Sequence, residues 1–174
     1  VPSRRLGLSL GIDLTPAKTC SLNCRYCQLT PTKSLTIERA EYCPTEAVLK
    51  ELTAVLSKIE KPDWITFSGT GEPTLHLGIG EIIRAIQAMT AVPVCVITNG
   101  TLLFRKDVRA DILPANRILP TLSTVMEKTF SKIHRPSQHL HFPKILEGIK
   151  ALSEEFQGTL EIEVFVCPGL NDSP

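Results

Sequence analysis

Three cysteines that lie close together are the residues of this chain whose type and spacing most clearly indicate chemistry. Cys20, Cys24 and Cys27 form the pattern C-x3-C-x2-C within eight residues. Thiolates hold iron–sulfur clusters, and a short loop with gaps of three and two residues can turn its sulfurs toward the corners of one cube. Three ligands for four irons leave one iron open, and an open position is typical of reactive metal centres. We therefore predict that these cysteines bind a [4Fe–4S] cluster with one open iron.

Two other uses of clustered cysteines have to be weighed against this prediction. A structural zinc site needs a fourth ligand, and no histidine of the chain belongs to a paired ligand motif. These histidines are His76, His134, His139 and His141. A disulfide would leave an odd thiol, and it does not suit the reducing compartment expected of a chain without a secretory signal. The alternative class of function is a non-catalytic module with a structural zinc clip on this loop. Metal analysis separates the two, because a [4Fe–4S] cluster indicates an enzyme and one zinc ion a clip.

A second candidate for ligand binding is the glycine-rich turn Gly69–Pro73, which follows the apolar run Trp64–Phe67. Glycines at two of its positions allow backbone N–H and C=O groups to approach a ligand closely. A tight connection between a strand and a helix also requires glycine. The turn by itself leaves both interpretations open.

The elements that must position these groups alternate between strands and amphipathic helices. We predict strands over 8–14, 64–67, 94–98, 117–122 and 160–166, and helices over 44–59, 79–89, 102–113 and 143–156. Such alternation predicts an α/β fold with a parallel sheet, and five strands make an incomplete barrel or an open sheet. Active sites of these folds form at the carboxyl ends of the strands. The cysteine loop, the glycine-rich turn, residues 98–100 and Ser123 are therefore expected on one rim.

Composition limits the broad class of protein. The chain has 174 residues, of which 43% are apolar and 21% charged, and its net charge is +1. This balance is typical of a globular domain and gives no global field that would recruit nucleic acid. The apolar runs are too short to cross a bilayer, and a cytoplasmic location with no membrane partner is expected. We expect one domain over residues 1–174, cut at both ends, because the sequence begins without Met and ends in a loop-like segment.

The cysteine motif, with the aromatic residue Tyr26 before its third cysteine, resembles the cluster motif of the radical S-adenosylmethionine (SAM) superfamily. The glycine-rich turn resembles the GGEP motif of that family. Further segments resemble a subgroup of compact Fe–S oxidoreductases related to the wyosine-forming tRNA-modifying enzymes, and with them the resemblance covers nearly the whole chain. These segments are residues 2–7, 11–16, 67–75 and 133–136.

The resemblance implies a partial parallel β/α barrel that uses a [4Fe–4S] cluster and SAM. In that family the reduced cluster cleaves SAM to a 5′-deoxyadenosyl radical, which abstracts hydrogen from a substrate. The substrate here is unidentified, with RNA as one candidate, and the implied electron donor is a flavodoxin- or ferredoxin-like protein. The turn backbone is implied to contact the SAM amino group, and Glu72 to hold the turn. The residues implied in cofactor binding are Tyr26, Gly69, Gly71, Glu72, Thr98, Asn99, Ser123 and Val166.

Four further expectations concern single residues. Gly71→Val should block SAM binding while the cluster survives. Glu161 and Glu163 share a face of the last predicted strand and, inside a half-barrel, would suit a cationic or hydroxylated substrate. His134 and Arg135 could bind phosphate or a substrate carboxylate, and the interpretation that we favour is a surface helix end. The remaining cysteines, Cys43, Cys95 and Cys167, are interpreted as small buried apolar residues.

Overall fold

A six-stranded sheet forms the body of the protein in the computed structural model, which describes residues 2–3, 5–29 and 31–172. Its strands follow the order β1-β2-β5-β6-β7-β8, and a separate two-stranded sheet pairs β3 with β4. Among the paired strands of the described residues, β1 runs antiparallel to β2, and all other pairs are parallel. The strands are β1 (Pro2–Ser3), β2 (Gly7–Ile12), β3 (Thr19–Cys20), β4 (Ser34–Leu35), β5 (Trp64–Phe67), β6 (Val94–Thr98), β7 (Arg117–Pro120) and β8 (Thr159–Leu160).

Helices lie in the connections between the parallel strands of this sheet. They are α1 (Thr45–Leu56), α2 (Ile79–Met89), α3 (Lys106–Ile112), α4 (Glu127–His134) and α5 (Phe142–Glu155), and a 3₁₀ turn covers Pro73–Leu75. In α2 the residues at helical spacing, Ile79, Ile82, Ile83 and Ile86, are fully buried. They belong to one core cluster with the strand residues Ile65 and Val96. Burial of each such side chain contributes about 1.5–3 kcal/mol.

The parallel strands lie side by side in the order in which the chain forms them, with helices in the connections. This is the arrangement of a β/α barrel, but the described sheet ends at β8 without closing on the opposite edge. The prediction of a partial parallel barrel is confirmed. Since β2, β5, β6 and β7 run in parallel, the loops after their carboxyl ends meet at one rim, which carries the cysteine loop and the glycine-rich turn.

The last predicted strand is wrong over most of its length. Residues 160–166 were expected to pair throughout, but β8 ends at Leu160 and one isolated bridge joins Thr121 to Glu163. The N–H groups of Glu161 and Glu163 donate to the carbonyls of Ile118 and Pro120. The reciprocal bond from position 120 is missing because proline has no N–H to donate. The ladder is therefore interrupted where the period-two pattern alone predicted continuity.

Other boundaries also differ from the prediction. The helix expected over 102–113 begins only at Lys106, and the buried residues Leu102 and Leu103 lie in turns before it. The strands β1, β3 and β4 were not predicted, and of the helix α4 only an end at His134 and Arg135 was. The positions Val1, Arg4, Thr30, Ser173 and Pro174 lie outside the described residues, so part of the segments 2–7 and 171–174 is not covered. None of the described helices is long and apolar enough to span a bilayer.

Candidate active site

Backbone hydrogen bonds and short polar side chains hold the cysteine loop. Cys20 ends β3, and its carbonyl accepts a hydrogen bond from Thr36 N at 3.0 Å. Thr32 donates through its hydroxyl to the Leu22 carbonyl at 2.7 Å, and its N–H donates to the Asn23 side chain at 3.0 Å. The N–H of Cys27 donates to the Cys24 carbonyl at 3.2 Å. These bonds give the loop between β3 and β4 a fixed course.

Each of the three thiols has a nitrogen neighbour from a different part of the chain. Asn99 Nδ2 lies 3.5 Å from Cys20 Sγ, and Lys18 Nζ lies 3.1 Å from Cys27 Sγ. The third contact joins Cys24 Sγ to His134 Nδ1 at 3.2 Å. Hydrogen bonds from nitrogen donors stabilise thiolate sulfurs and tune the metal centres that those sulfurs bind.

The electrostatic surroundings disfavour bare thiolates at this loop. Burial raises the pKa of Cys20 to about 11, and the charge of Glu72 adds to this increase. Burial raises the pKa of Cys24 to about 12, and the charges of Cys20 and Cys27 add to it. A bound positive centre, such as the iron of a cluster, would favour loss of the protons from Cys20 and Cys24. The donor set therefore fits an iron–sulfur cluster, whose binding would release protons.

The described side chains do not form a site for a single metal ion. Among residues 2–3, 5–29 and 31–172, no group of three or more His, Cys, Asp or Glu side chains is arranged to hold one metal ion. All six cysteines are free thiols: Cys20, Cys24 and Cys43 are half-buried, Cys27 is exposed, and Cys95 and Cys167 are buried. The last two fit the expected role of small apolar residues.

Both glycines of the turn are in contact with the segments that lead into the cysteine loop. A Cβ atom on Gly69 would lie 2.2 Å from the carboxyl carbon of Asp13. On Gly71 it would lie 2.1 Å from the carbonyl oxygen of Thr19, the residue before Cys20. The N–H of Glu72 donates to that same carbonyl at 3.1 Å. The turn is therefore packed directly on the base of the loop.

This packing corrects the expectation for Gly71→Val. The substitution was predicted to spare the cluster because the cysteines lie elsewhere in the chain. The structure instead places the added carbon against Thr19, whose backbone must move to admit it. We therefore replace that expectation by the prediction that a side chain at Gly71 disturbs the segment that carries Cys20 and so affects the cluster as well.

Glu72 joins the turn to the end of β6. Its fully buried carboxylate accepts hydrogen bonds from the hydroxyls of Thr74 and Thr98, both at 2.6 Å. It also accepts from the backbone N–H groups of Thr74 at 3.1 Å and Asn99 at 2.8 Å. Burial raises the pKa of Glu72, while these four donors oppose the increase. The hydroxyl of Thr98 is buried in this network.

We expect Glu72→Gln to destabilise the protein by about 1–3 kcal/mol, because its amide N–H would face the Asn99 N–H and leave both donors without an acceptor. Denaturant titration of the apo chain measures the change. Gln87→Glu serves as a comparison, because it makes the reverse change, from an amide to a carboxylate, at an exposed side chain that donates to the Pro114 carbonyl. Equal stability of Glu72→Gln and the wild type would contradict the assigned role of the carboxylate.

The remaining predicted site residues are Asn99, Ser123 and Val166, and they differ in their contacts and burial. Asn99 donates to Ser21 Oγ at 2.8 Å in addition to its contact with Cys20, and therefore lies beside the cluster loop. Ser123 is buried, and its hydroxyl accepts from Phe165 N at 3.3 Å. Val166 is 58% exposed on the loop after β8.

Phe165 is a residue of this rim that the sequence did not identify. Its ring stacks on Tyr26 with centroids 3.9 Å apart and planes 10° from parallel. The pair forms one wall of a cleft of about 370 Å³ beside Cys27, a volume in the range of small-molecule sites. The other lining residues are Gln28, Leu29, Thr121, Glu163 and Val164. The only signal for Phe165 in the sequence was its place in an apolar run interpreted as strand.

The two carboxylates that would suit a cationic or hydroxylated substrate, if they faced the inside of a half-barrel, already have cationic partners. Glu161 pairs with Arg117, and Glu163 pairs with Arg5 at 2.5 Å. Arg117 in turn lies over the Trp64 ring, 5.7 Å from its centroid. The charges of Glu161 and Glu163 are therefore compensated within the chain and do not indicate a cationic substrate.

His134 is the clearest error of the sequence interpretation. A surface helix end was expected, but the side chain of His134 is fully buried at the end of α4, in contact with Cys24. Burial lowers its pKa to about 4, so the imidazole is neutral at physiological pH. Arg135, by contrast, is exposed as expected.

Comparison with known proteins adds an independent observation. Residues 14–174 match the family model described as the Radical SAM superfamily. The chain is 40% identical over 173 residues to a protein named GTPase Obg from Brachyspira hyodysenteriae, covering 99% of this chain and 25% of that protein. It is 39% identical over 168 residues to a UPF0026 protein from Methanocaldococcus jannaschii, covering 95% and 52%. A GTP 3′,8-cyclase from Rippkaea orientalis is 28% identical over 155 residues, covering 88% and 46%. The chain thus spans about a quarter to half the length of these relatives.

Solved structures show the same fold. TYW1 with a bound lysine–pyruvate adduct superposes with a TM-score of 0.67 at 21% identity, covering 93% of this chain and 57% of that chain. Streptococcus suis SuiB bound to S-adenosylmethionine gives a TM-score of 0.65 at 18% identity, covering 90% and 32%. At these identities the likeness establishes the architecture alone.

Proposed function

The chain belongs to the radical SAM superfamily of enzymes, which use a [4Fe–4S] cluster and SAM, and from this premise we propose that Cys20, Cys24 and Cys27 hold the cluster. When bound, the two cofactors supply a 5′-deoxyadenosyl radical that abstracts hydrogen from the substrate. The observation that carries the assignment is the set of three thiols on one loop, each with its own nitrogen neighbour. An electron donor of the flavodoxin or ferredoxin type completes the proposed reaction.

The surrounding residues support a SAM site between the glycine-rich turn and the cleft beside Cys27. The turn 69–72 would present backbone groups, and Asn99 and Ser123 would line the side next to β6 and β7. Tyr26, stacked on Phe165, offers an aromatic wall of this cleft. We also assign a SAM contact to Val166, the exposed residue that follows Phe165. Thr98 and Glu72 would act indirectly, since their buried hydrogen bonds hold the turn against β6.

RNA is the substrate class that we propose, and the charge distribution around the cysteine loop supports it. Residues 14–37 and 128–141 contain no acidic side chain, although the net charge of the whole chain is only +1. Hydrogen bonds join the two segments, since Asn23 N donates to the His134 carbonyl at 2.9 Å. We call their exposed cations the basic rim: Arg25, Lys33, Lys128, Lys132 and Arg135. No ion pair neutralises them within the described part of the chain. Unpaired cations beside a site suit a phosphate backbone.

The proposed activity is tested by product analysis. Anaerobically reconstituted and reduced protein should convert SAM to 5′-deoxyadenosine. Transfer of label between SAM and the added substrate, either total RNA or GTP, then shows which substrate is modified. GTP is the second candidate because of the similarity to GTP 3′,8-cyclases. No 5′-deoxyadenosine from a chain that carries its cluster would contradict the proposed enzyme.

The basic rim gives a separate prediction for RNA binding. Lys128→Glu together with Lys132→Glu should weaken RNA binding and make the slope of log K against log salt shallower by about one for each lost phosphate contact. Binding isotherms at several salt concentrations measure this. The matched control is Lys58→Glu with Lys61→Glu, two exposed lysines outside the two acid-free segments. Equal effects of the two double variants would contradict a role for the basic rim.

A further inference from the structure

The end of α4 is docked on the cysteine loop through backbone hydrogen bonds. Asn23 N donates to the carbonyls of His134 at 2.9 Å and Arg135 at 3.2 Å, and Arg25 N donates to the Ile133 carbonyl at 2.9 Å. Arg135 has a left-handed conformation with φ of 45° and ends the helix there. The last turn of α4 is therefore held in one register against the loop.

This docking brings the imidazole of His134 to Cys24, which is 110 positions away in the chain. His134 Nδ1 lies 3.2 Å from Cys24 Sγ and 3.4 Å from the Tyr26 hydroxyl. The ring packs on Phe130 at a centroid distance of 4.7 Å and is fully buried. Its other nitrogen, Nε2, is buried and has no hydrogen-bond partner among the described residues.

The position of the ring proton follows from these contacts. A metal-bound thiolate cannot donate, so the contact between Nδ1 and Cys24 Sγ is a hydrogen bond only if Nδ1 carries the proton. A proton on Nε2 would leave a buried N–H without an acceptor, which is rarer in proteins than an unpaired acceptor. The geometry therefore favours the neutral tautomer with the proton on Nδ1.

We propose that His134 is a positioning residue for the iron–sulfur centre, and that its Nδ1–H donates a hydrogen bond to the Cys24 thiolate. This inference rests on the proposed role of Cys24 as a cluster ligand. The bond fixes the orientation of that sulfur and withdraws electron density from it. Because reduction adds negative charge to the cluster, a donor to the sulfur stabilises the reduced state and raises the reduction potential.

Two substitutions separate the hydrogen bond from the packing. His134→Phe keeps a ring against Phe130 but removes the donor, whereas His134→Asn removes the ring and keeps an amide N–H near the position of Nδ1. His139→Phe, at an exposed histidine five residues along the chain, is the control. Anaerobic redox titration, followed by electron paramagnetic resonance, gives the midpoint potential of each reconstituted protein. The same spectroscopy on wild-type protein labelled with ¹⁵N-histidine detects a nitrogen coupled to the reduced cluster.

The expected result is a more negative midpoint potential for His134→Phe, a value near that of the wild type for His134→Asn, and no change for His139→Phe. A ¹⁵N coupling should be present in the wild type and His139→Phe and absent in His134→Phe. An unchanged potential in His134→Phe, or an equal shift in His134→Asn, overturns the proposal. If His134→Phe takes up no iron, the potential of His134→Asn and the wild-type coupling decide the matter, and absence of the coupling overturns it. A wild-type chain that assembles no cluster would refute the proposed function instead, which keeps the two failures distinct.

Discussion

Alanine at Cys20, Cys24 or Cys27 is expected to abolish both the cluster and the cleavage of SAM. The wild type should bind about four irons per chain after anaerobic reconstitution, as a cubane cluster requires, and each variant close to none. The loss should be complete because the loop supplies all three proposed ligands and two thiolates leave the cluster open to solvent. Iron and sulfide analysis and the visible absorption spectrum measure the first effect, and 5′-deoxyadenosine formation measures the second.

The other cysteines provide matched controls for this result. Cys43 is half-buried, and its sulfur lies 3.4 Å from the Leu14 carbonyl, so Cys43→Ala removes a thiol of similar exposure without touching the loop. Cys167→Ala removes a buried thiol in the segment after β8. Both variants should retain full iron content. Similar losses in both sets of variants would refute the assignment of the cluster ligands.

A second large effect is expected from Gly71→Val, which should lose SAM binding and most of the cluster together. The first side-chain carbon would lie 2.1 Å from the Thr19 carbonyl oxygen and 2.3 Å from Thr15 Oγ1. Contacts this short force the backbone before Cys20 to move, and overpacking of this kind typically costs about 1–3 kcal/mol or more. Iron content, SAM binding and thermal unfolding of the variant measure the three consequences.

Gly11→Val is the matched control for this substitution. Gly11 lies in β2, and a Cβ atom there meets nothing within 4 Å. Valine also suits a strand, so this variant should fold, bind iron and cleave SAM like the wild type. If Gly71→Val kept its full iron content and lost only SAM binding, the turn would act on the cofactor and not through the cysteine loop.

Local sequence patterns predicted the elements in which one short segment decides its own conformation. The strands Trp64–Phe67 and Val94–Thr98 have the predicted bounds, because β-branched and aromatic runs between turn residues suit a buried strand. The helix Ile79–Met89 follows from its spacing of isoleucines. The strand predicted over 160–166 failed for a reason that its own residues do not contain. Pro120, which lies in the neighbouring strand β7, cannot donate a hydrogen bond to this segment.

The cysteine motif and the glycine-rich turn identified the family for the same reason. A cluster needs several sulfurs from a short loop, so the spacing of nearby cysteines is enough to indicate it. The match of residues 14–174 to the Radical SAM superfamily confirms that identification. The contacts of Asn99 and His134 with the loop could not be derived in this way, because these residues lie 79 and 110 positions from the cysteines that they contact.

What the sequence determined by itself, then, is the periodicity of the main strands and helices and the spacing of the cysteines. Tertiary structure alone decided that Asn99, Lys18 and His134 approach the three thiols and that Phe165 stacks on Tyr26. It also decided that Gly71 lies so close to the Thr19 carbonyl that a Cβ atom would clash there. The physical reason is that a local pattern fixes only the direction in which neighbouring side chains point. Contacts between residues far apart arise only when parallel strands bring their carboxyl ends to one rim, and helix α4 then docks on the loop that this rim supports.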